Sequence, residues 1–340
     1  MIKFLDIYKQ DKNLHSKIIK KISELFKKGD FILGKEVEIF ENNFKKIIGS
    51  KYAIGCANGT DALTLALKSL ELPKNSEVLI PAMTYCSTAF SVINAELKPV
   101  LVDVDFQKPT INLDDLKKKI TKKTKVILPV HLYGSVANIE GIKKLIKKKK
   151  IFLVDDCAQA HGALDDSKKK LIKKRVGSTT DISCFSLYPG KNLGAYGDAG
   201  IITTNSKIFY EKLIKLRNLG SKEKFIHDYV GMNSRLDTIQ SIILNEKIKY
   251  LLLNNKKRQK IAKFYNKNII NKHVVKLKYS KSCVYHQYVI LVKKRKNLIN
   301  LFKKKKIQYG FHYPFAIHQL EIFKKKFKNK NFKNAEILAK

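Results

Sequence analysis

The stretch Ile151-Phe152-Leu153-Val154-Asp155-Asp156-Cys157-Ala158-Gln159-Ala160-His161-Gly162 reads as a short apolar strand that ends in two acids and runs on into small residues. Short apolar runs bounded by turn residues are buried strands, and the carboxyl ends of such strands in an open α/β sheet line the ligand crevice. Similar runs lie on both sides: Val78-Leu79-Ile80, Val100-Leu101-Val102, Val126-Ile127-Leu128, Ile182-Ser183-Cys184-Phe185 and Ile201-Ile202-Thr203. Segments of helical spacing separate several of them, over 61–70, 113–120, 139–150 and 208–216. Strand and helix in alternation predict an α/β layered domain with a mostly parallel sheet. Ahead of it, Leu14, Ile18, Ile19, Ile22, Leu25 and Phe26 mark an amphipathic helix over 14–28. From about Leu236 the pattern changes to a long helix over 239–264, a strand over 284–292 and a helix over 298–306. The expectation is a large domain over 1–245 and a smaller C-terminal α+β domain over 246–340, with no repeat and no Pro/Gly/Ser linker between them.

The 340 residues, 44% of them hydrophobic, are enough to bury a core of that size. No apolar run approaches the roughly 20 residues of a membrane span. Met1-Ile2-Lys3-Phe4-Leu5-Asp6 meets an acid too early for a signal peptide, so the expected location is the cytoplasm. Cys56, Cys86, Cys157, Cys184 and Cys283 are scattered, odd in number and without metal-ligand spacing, and read as small buried hydrophobes. The formal charge of +40 points at first to nucleic acid or an anionic surface. Its composition points elsewhere, because the chain has only Arg175, Arg217, Arg235, Arg258 and Arg295, and arginine is the residue suited to bidentate phosphate and base contacts. The lysines are spread in runs at 117–119, 147–150, 168–170, 303–306 and 324–326, as on a solvated surface that can still draw in an anionic substrate.

Five local features bear on chemistry. Ala57-Asn58-Gly59-Thr60-Asp61 is a small-residue turn opening into a helix, either a phosphate cradle of free backbone N–H groups or an ordinary capped helix. Tyr85 follows the strand at 78–80 and is either a stacking face for a flat ligand or a packing residue. Asp156, at its strand end, is a helix cap or the partner of a pyridine nitrogen, with Gln159 in reach of a ring hydroxyl. In Ser186-Leu187-Tyr188-Pro189-Gly190-Lys191-Asn192-Leu193-Gly194 a lysine follows an apolar strand, where desolvation frees its amine for Schiff-base formation, and Ser186 is placed for a phosphate oxygen. Gly231-Met232-Asn233-Ser234-Arg235-Leu236-Asp237 is a polar turn before the long helix, with capping as its plainer reading. In order they provide a phosphate grip, a stacking face, a pyridinium partner and an imine former.

With these residues the chain resembles the DegT/DnrJ/EryC1/StrS family of sugar aminotransferases. Besides the motifs above, Gly34 with Lys35-Glu36-Val37 and His312-Tyr313-Pro314 carry the likeness, which runs from about Phe4 to the end. The resemblance implies a pyridoxal 5'-phosphate enzyme of transferase fold type I, with a mixed, mostly parallel sheet between helices. It implies that Lys191 forms the Schiff base and shuttles a proton, that Asp156 pairs with the pyridine nitrogen and Gln159 with the ring hydroxyl, and that Tyr85 stacks on the ring. Gly59, Thr60 and Ser186 would hold the phosphate, and Asn233 would reach the cofactor of the other chain in a homodimer with shared sites. Arg235, His312 and Tyr313 would bind the sugar or the donor carboxylate. Some relatives carry histidine at the lysine position and act as dehydratases, and Lys191 argues against that branch.

The implied reaction moves an amino group from L-glutamate to a nucleotide-linked keto sugar used in surface polysaccharide or lipopolysaccharide. Pro129-Val130-His131-Leu132-Tyr133-Gly134 and Asn233-Ser234-Arg235-Leu236-Asp237 look like members acting at a 3-keto rather than a 4-keto carbon. Relatives continue past the helical pattern of 334–340 through another strand and a final helix, so the small domain is expected to be truncated. Two readings of other classes accompany this one: a cofactor-binding regulator without turnover, and a basic protein for nucleic acid or anionic surfaces.

Overall fold

A computed structural model describes residues 1–106, 108–165, 174–223, 225–328 and 330–339; the lysine run at 168–170 lies outside them. Seven strands form one sheet: β1 (Tyr52–Cys56), β2 (Glu77–Pro81), β3 (Lys98–Val102), β4 (Thr124–Ile127), β5 (Phe152–Asp156), β6 (Ile182–Ser186) and β7 (Gly200–Thr204). Their order is β1-β7-β6-β5-β4-β2-β3. The pairs β3–β2, β2–β4, β4–β5 and β5–β6 are parallel, while β7 runs antiparallel between β6 and β1. The expected α/β domain with its mixed, mostly parallel sheet is therefore present.

Both faces of the sheet are covered, and the period of two along each strand decides which side chain goes where. Ile54, Cys56, Val78, Ile80, Val154, Ile182, Cys184 and Ile202 join one core with α4 (Gly59–Ser69), α5 (Cys86–Asn94) and α8 (Lys207–Leu216). Their neighbours on the opposite face divide in two. Ala53, Phe185 and Ile201 pack with α3 (Lys35–Ile48) and α9 (Thr238–Lys247). Leu79, Val102, Ile127 and Leu153 pack with α6 (Leu113–Lys119) and α7 (Ile139–Ile146). The N-terminal α1 (Ile7–Asp11) leads to the expected amphipathic helix, α2 (His15–Lys28), which lies on α9.

The C-terminal third departs from the expected elements in two places. The long helix breaks at a 3₁₀ turn, Ile248–Tyr250, before α10 (Leu251–Asn268). The strand expected over 284–292 shrinks to Ile290–Val292. With β8 (Ser221–Glu223) and β9 (Ile226–His227) forming a separate hairpin, this strand is β11 and pairs with β10 (Val274–Lys276). Residues 284–289 form no strand: Tyr285 takes a left-handed backbone (φ 45°), and backbone donors are spent on loops, Val284 N–H on Gly134 O at 3.1 Å and Gln287 N–H on Tyr133 O at 3.4 Å. That diversion takes the segment beneath the cleft described below. After α11 (Arg295–Lys304), the short α12 (Glu321–Lys324) and α13 (Lys333–Ala339) return to the sheet, and Phe323, Phe332, Ala335 and Leu338 join the core that holds Ile54 and Val78.

Candidate active site

The carboxyl ends of β1, β2, β5 and β6 open on one edge of the sheet, where a cleft of ≈1780 Å³ collects most of the expected residues. Its lining includes Gly59, Thr60, Tyr85, Asp156, Gln159, Ser186, Lys191, His312 and Tyr313. Asn233 and Arg235 are not among the lining residues: Asn233 is exposed, and Arg235 Nη1 donates to Asn218 Oδ1 at 3.1 Å.

The turn after β1 is built for close approach. Asn58 caps α4, its Oδ1 accepting from Asp61 N–H at 2.8 Å. A Cβ on Gly59 would stand 2.5 Å from Ser186 Cβ, so only glycine lets the helix start meet the end of β6. Gly200, opposite both Cys56 and Ser186, is bare for the same reason: a Cβ there would lie 2.3 Å from Asn58 O. Thr60 Oγ1 donates to Ser87 Oγ at 2.8 Å, which adds a second hydroxyl beside the helix N-terminus.

The two acids at the end of β5 point to different jobs, as alternation along a strand requires. Asp155 is fully buried, with its carboxylate accepting from Thr180 at 2.6 Å and paired with His131 Nε2 at 3.1 Å. Burial pushes its pKa up, but the His131, Ser183 and Thr180 contacts outweigh this and hold it below the ordinary value. Ala137 N–H occupies His131 Nδ1 at 3.0 Å, so both ring nitrogens are engaged. The nearby grouping of His131, Asp155 and Cys157 thus acts as a hydrogen-bonded brace under the site.

Asp156 lines the cleft. Thr88 Oγ1 donates to its Oδ2 at 2.9 Å and Ala158 N–H to its Oδ1 at 3.0 Å. Burial raises its pKa in spite of these two bonds and the charge of Lys191. A carboxylate taken out of water costs several kcal/mol unless it is matched, so this one is set to receive a cationic or N–H partner.

Lys191 sits in a tight turn whose N–H donates to Tyr188 O at 2.9 Å. Asn192 pins that turn from beneath, donating to Asn255 Oδ1 at 2.9 Å and Val284 O at 3.1 Å. The Lys191 amine makes no hydrogen bond or ion pair among the described residues. Burial lowers its pKa, and Asp156 only partly offsets this. Lowering the pKa of an amine raises the fraction that is unprotonated and free to act as a nucleophile. His161 Nε2–H donates to Ser186 O at 2.8 Å; burial and Lys191 push this imidazole down to about 3, so it stays neutral.

Gln159 is already largely committed. Its Oε1 accepts Tyr133 N–H at 2.6 Å and its Nε2 donates to Tyr313 OH at 2.9 Å, leaving one N–H for a ligand. Tyr85 is 55% exposed, with its ring 5.6 Å from that of Tyr313. Tyr133 OH donates to His312 O, which fixes the 312–313 backbone. Burial holds Tyr313 protonated and His312 neutral.

Four lining or supporting residues were not expected. Ser87 and Thr88 follow the Pro81–Tyr85 stretch just after Cys86, and two hydroxyls at a helix start after a strand were a usable signal. Arg258 and His286 line the cleft from α10 and the irregular 284–289 segment. Nothing local marks them, because only the chain path brings them into the cleft that holds Lys191.

The family model of the DegT/DnrJ/EryC1/StrS aminotransferases matches residues 12–340. The chain is 40% identical over 327 residues to the dTDP-3-amino-3,6-dideoxy-alpha-D-galactopyranose transaminase of Aneurinibacillus thermoaerophilus, covering 95% of this chain and 88% of that one. It is 35% identical over 312 residues to the UDP-N-acetyl-3-dehydro-alpha-D-glucosamine 3-aminotransferase of Acidithiobacillus ferrooxidans, covering 91% and 83%. The crystal structure of S. venezuelae DesV in complex with a ketimine intermediate superimposes with a TM-score of 0.94 at 30% identity, covering 99% of this chain and 91% of that one. A sheet-edge cleft holding a desolvated lysine and a buried acid thus occurs in a chain that belongs to the DegT/DnrJ/EryC1/StrS aminotransferase family.

Proposed function

We propose that this chain is a cytoplasmic, homodimeric, pyridoxal-phosphate-dependent aminotransferase. It moves the amino group of L-glutamate to the 3-keto carbon of a nucleotide-linked sugar bound for surface polysaccharide. The observation that carries the reading is the presence, in one cleft, of a desolvated Lys191 amine without a hydrogen bond or ion pair among the described residues and of the buried Asp156 carboxylate. The residues fit the cofactor: Asp156 needs a buried partner, and Gly59 leaves room at a helix N-terminus beside Ser186.

Bound pyridoxal phosphate supplies an electron-withdrawing ring that stabilises negative charge at the substrate carbon and carries the amino group between substrates. The chain's own groups do the rest. The α4 N-terminus, Gly59, Thr60 and Ser186 grip a phosphate, with the helix dipole favouring the anion. Asp156 keeps a proton on a ring nitrogen, Gln159 gives its spare N–H to a ring hydroxyl, and Tyr85 offers a stacking face. Lys191 Nζ takes a proton from one carbon and returns it to another, a task suited to an amine whose pKa lies below its ordinary value. His312 and Tyr313 take the sugar. Asn233 and Arg235, outside the cleft of their own chain, serve the site of the second protomer. The 3-keto position is supported by relatives whose names specify amination at carbon 3.

The test is spectroscopic. Purified protein loaded with pyridoxal phosphate should show a visible absorption band that glutamate bleaches and a 3-keto nucleotide sugar restores. Restoration only by a 4-keto sugar would overturn the regiochemistry. Absence of the band in folded, cofactor-supplied protein would overturn the role of Lys191.

A further inference from the structure

Met1-Ile2-Lys3-Phe4-Leu5-Asp6 is apolar up to an early acid, apart from Lys3, and the fold places residues 2–5 along the cleft. Ile2 is held on both sides: its N–H donates to Lys306 O at 2.9 Å, and its carbonyl accepts from Gln308 N–H at 2.9 Å. Phe4 N–H donates to Gln308 Oε1 at 3.0 Å. Asp6 then caps α1 by accepting from Lys9 N–H at 3.1 Å, so the segment is tied down at both ends.

Between those ties the Phe4 ring lies nearly parallel to the His312 imidazole, with centroids 5.9 Å apart and planes at 11°. Gly310 makes this possible, because a Cβ there would stand 2.8 Å from His312 Cε1. On the other side Leu5 reaches the lysine turn, within 3.4 Å of where a Cβ on Gly190 would lie. Phe4 nonetheless remains 55% exposed, in a cleft it lines. A large aromatic face left open to a cleft gains free energy when a ligand covers it, and aromatic faces suit the C–H face of a pyranose. Contact with His312 and nearness to the Lys191 turn put that face at the reacting end of the cleft.

We propose that residues 2–5 form a wall of the sugar-nucleotide site and that Phe4, stacked on His312, contacts the sugar ring. This rests on the aminotransferase reading above. Burial and the charge of Lys191 keep His312 neutral, so it can accept or donate a hydrogen bond at a sugar hydroxyl while its face remains on Phe4.

The chain contains no tryptophan, so Phe4→Trp installs a single fluorescent reporter in the wall. Its emission should change on titration with dTDP-glucose or UDP-glucose and stay flat with glutamate or with dTDP alone. Phe4→Ala should raise the KM for the keto sugar about tenfold, the order expected for one lost aromatic contact, and leave the glutamate KM little changed. Gln308→Ala, which unties the segment but keeps the ring, should shift the sugar KM in the same direction. A reporter silent to every nucleotide sugar, or an unchanged sugar KM in Phe4→Ala, overturns the wall. A response to dTDP alone overturns the assignment to the sugar. These outcomes are separate from loss of glutamate bleaching in the unaltered protein, which would strike the aminotransferase reading and leave the binding titration able to judge the wall.

Discussion

Thr88 shows how one hydroxyl ties a helix to the chemistry of a strand end. It donates to Asp156 Oδ2 at 2.9 Å and shares a 2.9 Å bond with Thr84 Oγ1. A hydrogen bond to a charged group contributes about 1.5–3 kcal/mol, so Thr88→Val should lower kcat roughly tenfold to hundredfold. The sign of the pH effect follows from which form the bond favours. Thr88 stabilises the ionised carboxylate, so its loss lets burial raise the Asp156 pKa further and moves the acid limb of the kcat profile upward. Thr88→Ser, which keeps the hydroxyl, should restore the limb. A valine variant with an unshifted limb and only a lower Tm would reduce Thr88 to packing.

Among elements, the contact of α2 with α9 rests on a charge cluster. Glu246 is almost fully buried and pairs with Lys17 at 3.2 Å, Lys21 at 2.9 Å and Lys249 at 2.8 Å. Burial raises its pKa, but the lysines more than reverse this and bring it down to about 2. Against an unfolded glutamate value of about 4.3, this stabilisation is complete above that pH and is lost as pH falls toward 2. Glu246→Gln should therefore lower stability at neutral pH and flatten the fall of ΔG over that acid window, as measured by denaturant melts at stepped pH. An unchanged slope would mean that the lysines contribute nothing. At the same scale, β1 and α5 escaped the sequence reading. Tyr52-Ala53-Ile54-Gly55-Cys56 carries a glycine that weakens a strand signal, and it is needed because a Cβ there would lie 2.8 Å from Leu236. Cys86–Asn94 is rich in serine, threonine and valine, poor helix formers whose fate is settled by burial against α4.

For the whole molecule, the positions of Asn233 and Arg235 outside their own chain's cleft yield a complementation test of shared sites. Lys191→Ala and Asn233→Ala should each be inactive alone. Mixed and re-dimerised, they form a heterodimer in which one cleft has both residues intact, and activity should return. No recovery from a confirmed heterodimer would confine each site to one chain. Among the described residues no helix is long and apolar enough to cross a membrane. The exposed lysines pair sparsely with acids such as Glu38, Glu96 and Glu140, contacts worth little in water.

The layered sheet, the strand ends at Asp156 and Ser186, the glycine turn at 59 and the lysine that follows the strand end at 186 were all legible in the amino-acid order. These are local signals: apolar period, a turn residue, an acid or amine at a fixed offset from a strand. Which distant groups join them follows from the packing of the folded chain alone. Thr88 reaches Asp156, and Arg258 and His286 enter the cleft of Lys191 after a helix break and along a segment diverted from strand pairing. Phe4 meets His312 across almost the full length of the chain, while Asn233 faces away. Such meetings depend on how elements cross and where backbone donors are spent, and neither leaves a period in the sequence.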